Sequence, residues 1–144
     1  MKHILLVLFL MSCVSSRSLL KEERFLFLDR AYMQNFHKED IEKEFGVADE
    51  IAENDILYNF QEFIYPQIGI FFDVNQKIKT AFYFAEEKEL NLIKKSIPCN
   101  WIDEEQVLKR SHYFKKVRRG ECKEHNIKFQ FMEKSNYYEF RWGK

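Results

Sequence analysis

Period-two alternation over two stretches most constrains what this chain can become. In one, Ile68, Ile70 and Phe72 alternate with Gly69 and Phe71; after a polar turn, Ile78, Thr80, Phe82 and Phe84 alternate with Lys79, Ala81 and Tyr83. In the other, Ile127, Phe129 and Phe131 alternate with Lys128 and Gln130, and Tyr138, Phe140 and Trp142 alternate with Glu139 and Arg141. Successive side chains of a strand point to opposite faces, so such segments belong to a sheet with a covered face. Phe129, Phe131, Phe140 and Trp142 are therefore expected in the core. Aromatic residues make up 17% of the 144, and the chain has only four Gly and two Pro, so few breakers interrupt these runs.

Between and before the strands the period becomes helical. Phe25, Leu28, Tyr32 and Phe36 recur three or four apart, Ile41 and Phe45 share one face of Lys38–Phe45, and Leu90, Ile93 and Ile97 share one face of Glu86–Ile97. Gly46 ends the second of these where a left-handed residue is wanted, and Pro98 stops the third. His37 is a poor cap for the second, whereas Asp103, followed by Glu104 and Glu105, is expected to open a fourth helix over Asp103–Arg110. Ile56, Tyr58 and Phe60 begin a three-stranded meander, whose second strand runs from Ile68 to Val74 and whose third is Ile78–Phe84. Gln76 resists the positive φ of a two-residue hairpin loop, so the turn at Asn75-Gln76 is expected to be longer. His112–Arg118, Ile127–Met132 and Tyr137–Trp142 are further strands, with a turn at Lys134-Ser135-Asn136.

The fold class expected is α+β, with helices packed on a mainly antiparallel sheet. Both halves run helix then three strands, so a degenerate αβββ duplication stands beside the plainer reading of one continuous sheet. Tyr58, Phe63, Tyr65, Phe71, Tyr83 and Tyr137 lie opposite or beside the main apolar stripe. Their face is covered either by the second half of the chain or by a partner.

The first thirteen residues address the protein. Lys2 precedes an apolar run from Ile4 to Met11, then Ser12 and Cys13, in the order of an export signal, and a run of about eight is far short of the ~20 that cross a bilayer. Leu10-Met11-Ser12-Cys13 resembles the lipobox of bacterial lipoproteins, with Met11 larger than usual. That resemblance implies cleavage before Cys13 and lipid on its thiol and new amine, a stable anchor because two or more acyl chains hold where one does not. An ordinary signal cut near Ser15 or Ser16 is the competing reading. The chain then divides into a signal at 1–12, a polar tether at 13–20 and a single α+β domain at 21–144, with halves 21–85 and 86–144. The implied location is the bacterial cell envelope, anchored in the outer membrane and facing periplasm or surface.

Lys38 to Glu50, Leu57-Tyr58-Asn59-Phe60 and Ile70 to Ile78 resemble the BamE-like (SmpA/OmlA) small lipoproteins. Their pattern is a helix ending in Phe/Leu-Gly-x-Pro, a tyrosine-bearing strand, and Phe-x-Asp-Gly-Lys-Val in a hairpin. The resemblance covers about residues 36–84; Ala48 stands for the usual proline and Gln76 for glycine. It implies a two-helix layer on a three-stranded sheet and a non-enzymatic role as scaffold or protein-binding module.

Formal charge is zero, so no global field draws the chain to nucleic acid or to acidic lipid. With Cys13 set aside for lipid, Cys99 and Cys122 form an even pair in an oxidising compartment and are expected to be bridged. Cys122-x-x-His125 has metal-like spacing, and Cys99 and His112 could complete a zinc set, but the bridge competes for both sulfurs. No cofactor motif appears. A thiol nucleophile at Cys122 beside His112 or His125 would lack an oxyanion hole, and no Gly-rich or nucleophile-elbow sequence supplies one. Lys115, Lys116, Arg118 and Arg119 form a dense basic cluster, a candidate patch for an anionic partner. Charge reversal at these four is expected to leave folding intact and to change only binding. The leading reading is a lipid-anchored envelope protein that binds another protein; a ligand- or metal-binding protein built on the C-terminal half comes second and an enzyme third.

Overall fold

A computed structural model describes residues 21–52, 54–58 and 67–143. Cys13, the signal and tether, Phe60, Phe63 and Tyr65 lie outside them. The described chain is mixed α+β: helices α1 (Lys21–Met33), α2 (Lys38–Phe45) and α3 (Glu87–Ser96), and strands β1 (Glu50–Ala52), β2 (Asp55–Tyr58), β3 (Ile68–Phe72), β4 (Ile78–Ala85), β5 (Ile102–Arg110), β6 (Tyr113–Cys122), β7 (Ile127–Met132) and β8 (Tyr137–Trp142). All eight strands join one antiparallel sheet in the order β1-β2-β3-β4-β8-β7-β6-β5. Two four-stranded meanders thus meet where β4 pairs with β8.

Local chemistry explains the helix ends. The Asp40 carboxylate, on the third residue of α2, accepts the His37 N–H at 3.1 Å in a capping box. Gly46 closes α2 at φ 77°. Glu89 does for α3 what Asp40 does for α2, accepting the Glu86 N–H, and its other oxygen takes the buried Tyr83 hydroxyl at 3.0 Å. The β3–β4 turn is longer than two residues, as the sequence suggests: the Asp73 side chain accepts the N–H of Asn75 at 2.8 Å and of Lys77 at 3.1 Å, and Gln76 takes φ 62°. β3 ends at Phe72 rather than Val74, which is almost fully exposed.

Helices cover one face of the sheet. Phe25, Phe27, Leu28 and Ala31 of α1, Ile41 and Phe45 of α2, and Leu90 and Ile93 of α3 pack on Ile56, Tyr58, Ile68, Ile70, Ala81, Tyr83, Ile127, Phe129, Tyr138, Phe140 and Trp142. The rings meet edge to face, Phe27 on Phe45 at 4.8 Å and Phe25 on Tyr83 at 6.1 Å, which adds to the area they bury. Phe129, Phe140 and Trp142 are in this core; Phe131 is half-buried against it.

Four sequence expectations are corrected. Asp103–Arg110 is strand, not helix: it pairs along its whole length with Tyr113–Cys122, so that Glu104 faces Arg119 and Glu105 faces Arg118. Opposite charges across an antiparallel pair override the helix-opening pattern of Asp103-Glu104-Glu105. The face of β4 is inverted as well. Phe72 pairs with Ile78 and Phe71 with Thr80, leaving Lys79 as the extra residue of a β-bulge. One inserted residue flips every later side chain, so Ala81, Tyr83 and Ala85 are buried, and Phe82 and Phe84 point the other way. For the same reason Tyr83 is a core residue rather than a residue of an open face; Tyr58, opposite Ile68 and on the same face as Ile56, is core as well. Finally, β1 adds a strand, so the first meander has four strands rather than three.

Trp142 is fully buried against α1, and its loss should cost roughly 3–5 kcal/mol, as for other core aromatics. Trp142→Ala should therefore melt far below wild type in a thermal scan, whereas Lys115→Glu, on a half-exposed residue with no ion partner among the described residues, should melt within a degree or two of it.

Candidate binding surface

Among the described residues no helix packs on the second face of the sheet. Its side chains follow from the registers. Leu57 of β2, Phe71 of β3 and Phe82 and Phe84 of β4 form a half-buried apolar strip, with Phe82 6.0 Å from Phe71 and 5.2 Å from Phe84. The Phe82 ring lies over Gly69, where a Cβ would come within 2.1 Å of it; glycine is what lets the ring lie down. Next to this strip the face becomes charged. Glu139 and Arg141 of β8 pair at 3.0 Å beside Phe84 and Phe82, followed by Lys128 and Gln130 of β7, Arg119 and Glu121 of β6, and Glu104 of β5. A depression of about 580 Å³ lies over Gly120 among Glu104, Arg119, Lys128 and Arg141. A larger one, about 710 Å³, opens where β6 leaves β7, between Lys115–Arg119 and Gln130–Ser135, with Phe84 and Tyr137 along it.

The four cations of the basic cluster do not form one patch. Alternation sends Lys115 and Arg119 to the helix-free face and Lys116 and Arg118 to the other. Arg118 grips Asp103 with Nε at 3.2 Å and Nη2 at 3.0 Å, reaches Glu87 at 3.3 Å and lies 5.7 Å over the Tyr138 ring. Lys94 also binds Asp103. Lys116 sits 3.6 Å from Glu87 and 3.8 Å from Glu105, and 5.1 Å over Phe131. Arg118 is thus a structural ion joining β6, β5 and α3, and its reversal is not a tolerated change. The hydrogen-bonding Arg118 guanidinium, helped by Lys94, holds the Asp103 carboxyl below the usual carboxylate range against the opposing effect of burial.

Cys99 and Cys122 are bonded, with Cα atoms 5.9 Å apart. Glu124 lies beside them, its carboxylate 2.8 Å from Cys99 Sγ and accepting both Asn100 N at 3.3 Å and Asn100 Nδ2 at 3.2 Å. Backbone N–H groups of Glu124 and Asn100 keep that carboxyl below its ordinary range. Cys99, Cys122 and Glu124 are close enough together to share a cation, but bonded sulfurs offer no thiolate. The zinc set of Cys99, His112, Cys122 and His125 is not assembled. His112 sits in the β5–β6 turn, the length of β6 from Cys122, or about 30 Å at the rise of a strand.

His125 is tied elsewhere. Its Nδ1 lies 2.8 Å from Asp29 Oδ2, while Trp142 Nε1 donates to Asp29 Oδ1 at 3.0 Å. Asn126 Nδ2 donates to the Tyr32 hydroxyl at 2.8 Å, so α1 holds both the β6–β7 turn and the last strand. The sequence singles out neither Asp29 nor Gln67, the latter fully buried between Arg24 and the Phe84 carbonyl. The available signal at Asp29 is an acid directly after the apolar run Phe25–Leu28. No family model, curated protein or solved structure matches the chain.

Two measurements follow. Removing Arg118 takes hydrogen bonds from a carboxylate, so Arg118→Ala should cost roughly 1.5–3 kcal/mol at neutral pH. Because the Asp103 pKa is lowered by folding, this stability is present above the ordinary carboxylate pKa and lost as pH falls through the folded value. The gap in melting temperature between Arg118→Ala and wild type should accordingly close below about pH 4. In the unreduced protein Cys99 and Cys122 should resist alkylation, and the double serine variant should lose on the order of 3 kcal/mol by the chain-entropy model; rapid labelling of either would remove the bridge.

Proposed function

We propose that this protein is a lipid-anchored component of the bacterial cell envelope that works without catalysis, by holding another protein on the helix-free face of its sheet. The face itself carries the proposal. An aromatic strip at Phe71, Phe82 and Phe84, flanked by the charged Glu139, Arg141 and Lys128, has the apolar centre and polar rim of a protein interface. The lipobox-like Leu10-Met11-Ser12-Cys13 supports the anchor. No described helix is long and apolar enough to cross a membrane.

On this reading residues 36–84 are a diverged BamE-like unit, and residues 86–144 a degenerate second copy of it. Support for the duplication comes from the strand order, which mirrors itself about the β4–β8 pair, each half being helix followed by a four-stranded meander. The second half has one helix where the first has two.

A photocrosslinking residue at Phe82, on the open face, should capture a specific envelope protein in cells, whereas the same group at Lys95 on α3 should not. Capture of nothing but bulk abundant proteins at Phe82 would sink the reading. The anchor is tested separately: Cys13→Ala should shift the protein from the detergent to the aqueous phase or stall it unprocessed, and a mature-sized variant that still partitions with membranes would exclude lipidation at Cys13.

A further inference from the structure

The ladder between β5 and β6 runs from Ile102↔Glu121 to Arg110↔Tyr113, but that between β6 and β7 stops at Arg119↔Gln130. From Glu105↔Arg118 outward no third strand is hydrogen-bonded to the hairpin, and at the rise of a strand its end reaches about 13 Å past the level of Met132, where β7 ends. Two strands alone are marginal in water. Yet this ribbon carries the densest set of exposed large apolar side chains in the described chain: Val107 at 63%, Leu108 at 41%, Tyr113 at 54% and Phe114 at 69% exposure.

Pleating puts Val107 and Phe114 on one face of the ribbon and Leu108 and Tyr113 on the other. A protein docking against the ribbon would cover one face; apolar groups on both suit a medium that surrounds the end of the hairpin. Charge narrows the choice further. From Gln106 to Gly120 the chain has no Asp or Glu, and Lys109 and Lys115 have no ion-pair partner among the described residues. Apolar and aromatic side chains mixed with cations are what the headgroup layer of an anionic bilayer accommodates, with rings at the interface and ammonium groups on phosphates.

We propose that the β5–β6 hairpin is a membrane-surface arm, whose end inserts Val107, Leu108, Tyr113 and Phe114 into the headgroup region while Lys109 and Lys115 bind lipid phosphates. It depends neither on lipid at Cys13 nor on a partner at the open face. With a tether elsewhere in the chain, a second contact would fix which way the sheet faces.

The test uses the full chain bearing Phe114→Trp, with the parent protein as the baseline for Trp101 and Trp142. Mixed with vesicles of phosphatidylglycerol and phosphatidylethanolamine, the new indole should shift to the blue and be quenched by brominated acyl chains. Vesicles of phosphatidylcholine alone should give a several-fold smaller response. Because an anchor at the N-terminus would not report at position 114, a positive result is specific to the arm. Lys109→Glu combined with Lys115→Glu should weaken the anionic preference by at least about tenfold while leaving the thermal melt unchanged. Solvent-like emission in both kinds of vesicle would overturn the proposal. So would a blue shift that needs no lipid and grows with protein concentration, which would assign the hairpin to self-association, or one that appears only with a captured acidic protein.

Discussion

Where β4 meets β8, two meanders that could not each hide an apolar face become one sheet. The register sets small against large, Ala81 opposite Trp142 and Ala85 opposite Tyr138, with Tyr83 opposite Phe140 between them. Alanines on β4 leave room for the rings from β8 and for the helices above. α1 lies over β4, α3 lies over β8, and the two helices touch across the seam. Asp29 then fastens the arrangement, since its two oxygens hold Trp142 at the seam and His125 in the turn that leads into β7. A nearly buried carboxylate is costly unless its oxygens are bonded, and here partners from distant parts of the sequence satisfy both.

The aromatic strip on the open face has its origin in the bulge at Lys79. Without the extra residue, β4 would bury Phe82 and Phe84 and present Ala81 and Tyr83 outward, and the strip of Phe71, Phe82 and Phe84 would not form. One residue out of register therefore decides whether three phenylalanine rings gather on that face. Gly69 completes the change by giving the Phe82 ring a flat place to rest.

Elements with an uninterrupted period were legible in the sequence: β7, β8, α2 and α3 stand within a residue or so of where the pattern puts them, and the α+β class followed from them. β4 was found as a strand, but its faces were not, because a bulge leaves no mark in a period-two pattern read strand by strand. Asp103–Arg110 misled for a different reason. An acidic triplet before apolar residues serves equally well as the first turn of a helix or as the partner of a basic strand, and only Arg118 and Arg119, beyond the next turn, distinguish the two. The same distance hid the division of the basic cluster, since which cations are neutralised depends on Glu87, Asp103 and Glu105 from two other elements. Asp29 was silent because its partners lie about a hundred positions downstream.

The sheet order also governs when the protein can exist as a folded body. β8 is the last of the described strands in sequence but stands in the middle of the sheet, with β4 on one side and β7 on the other. Until it has been made, the two meanders have no common edge and Asp29 has no indole to hold. The sheet therefore cannot close while only the elements before β8 have been made; it closes around a strand that comes after both of the strands it joins.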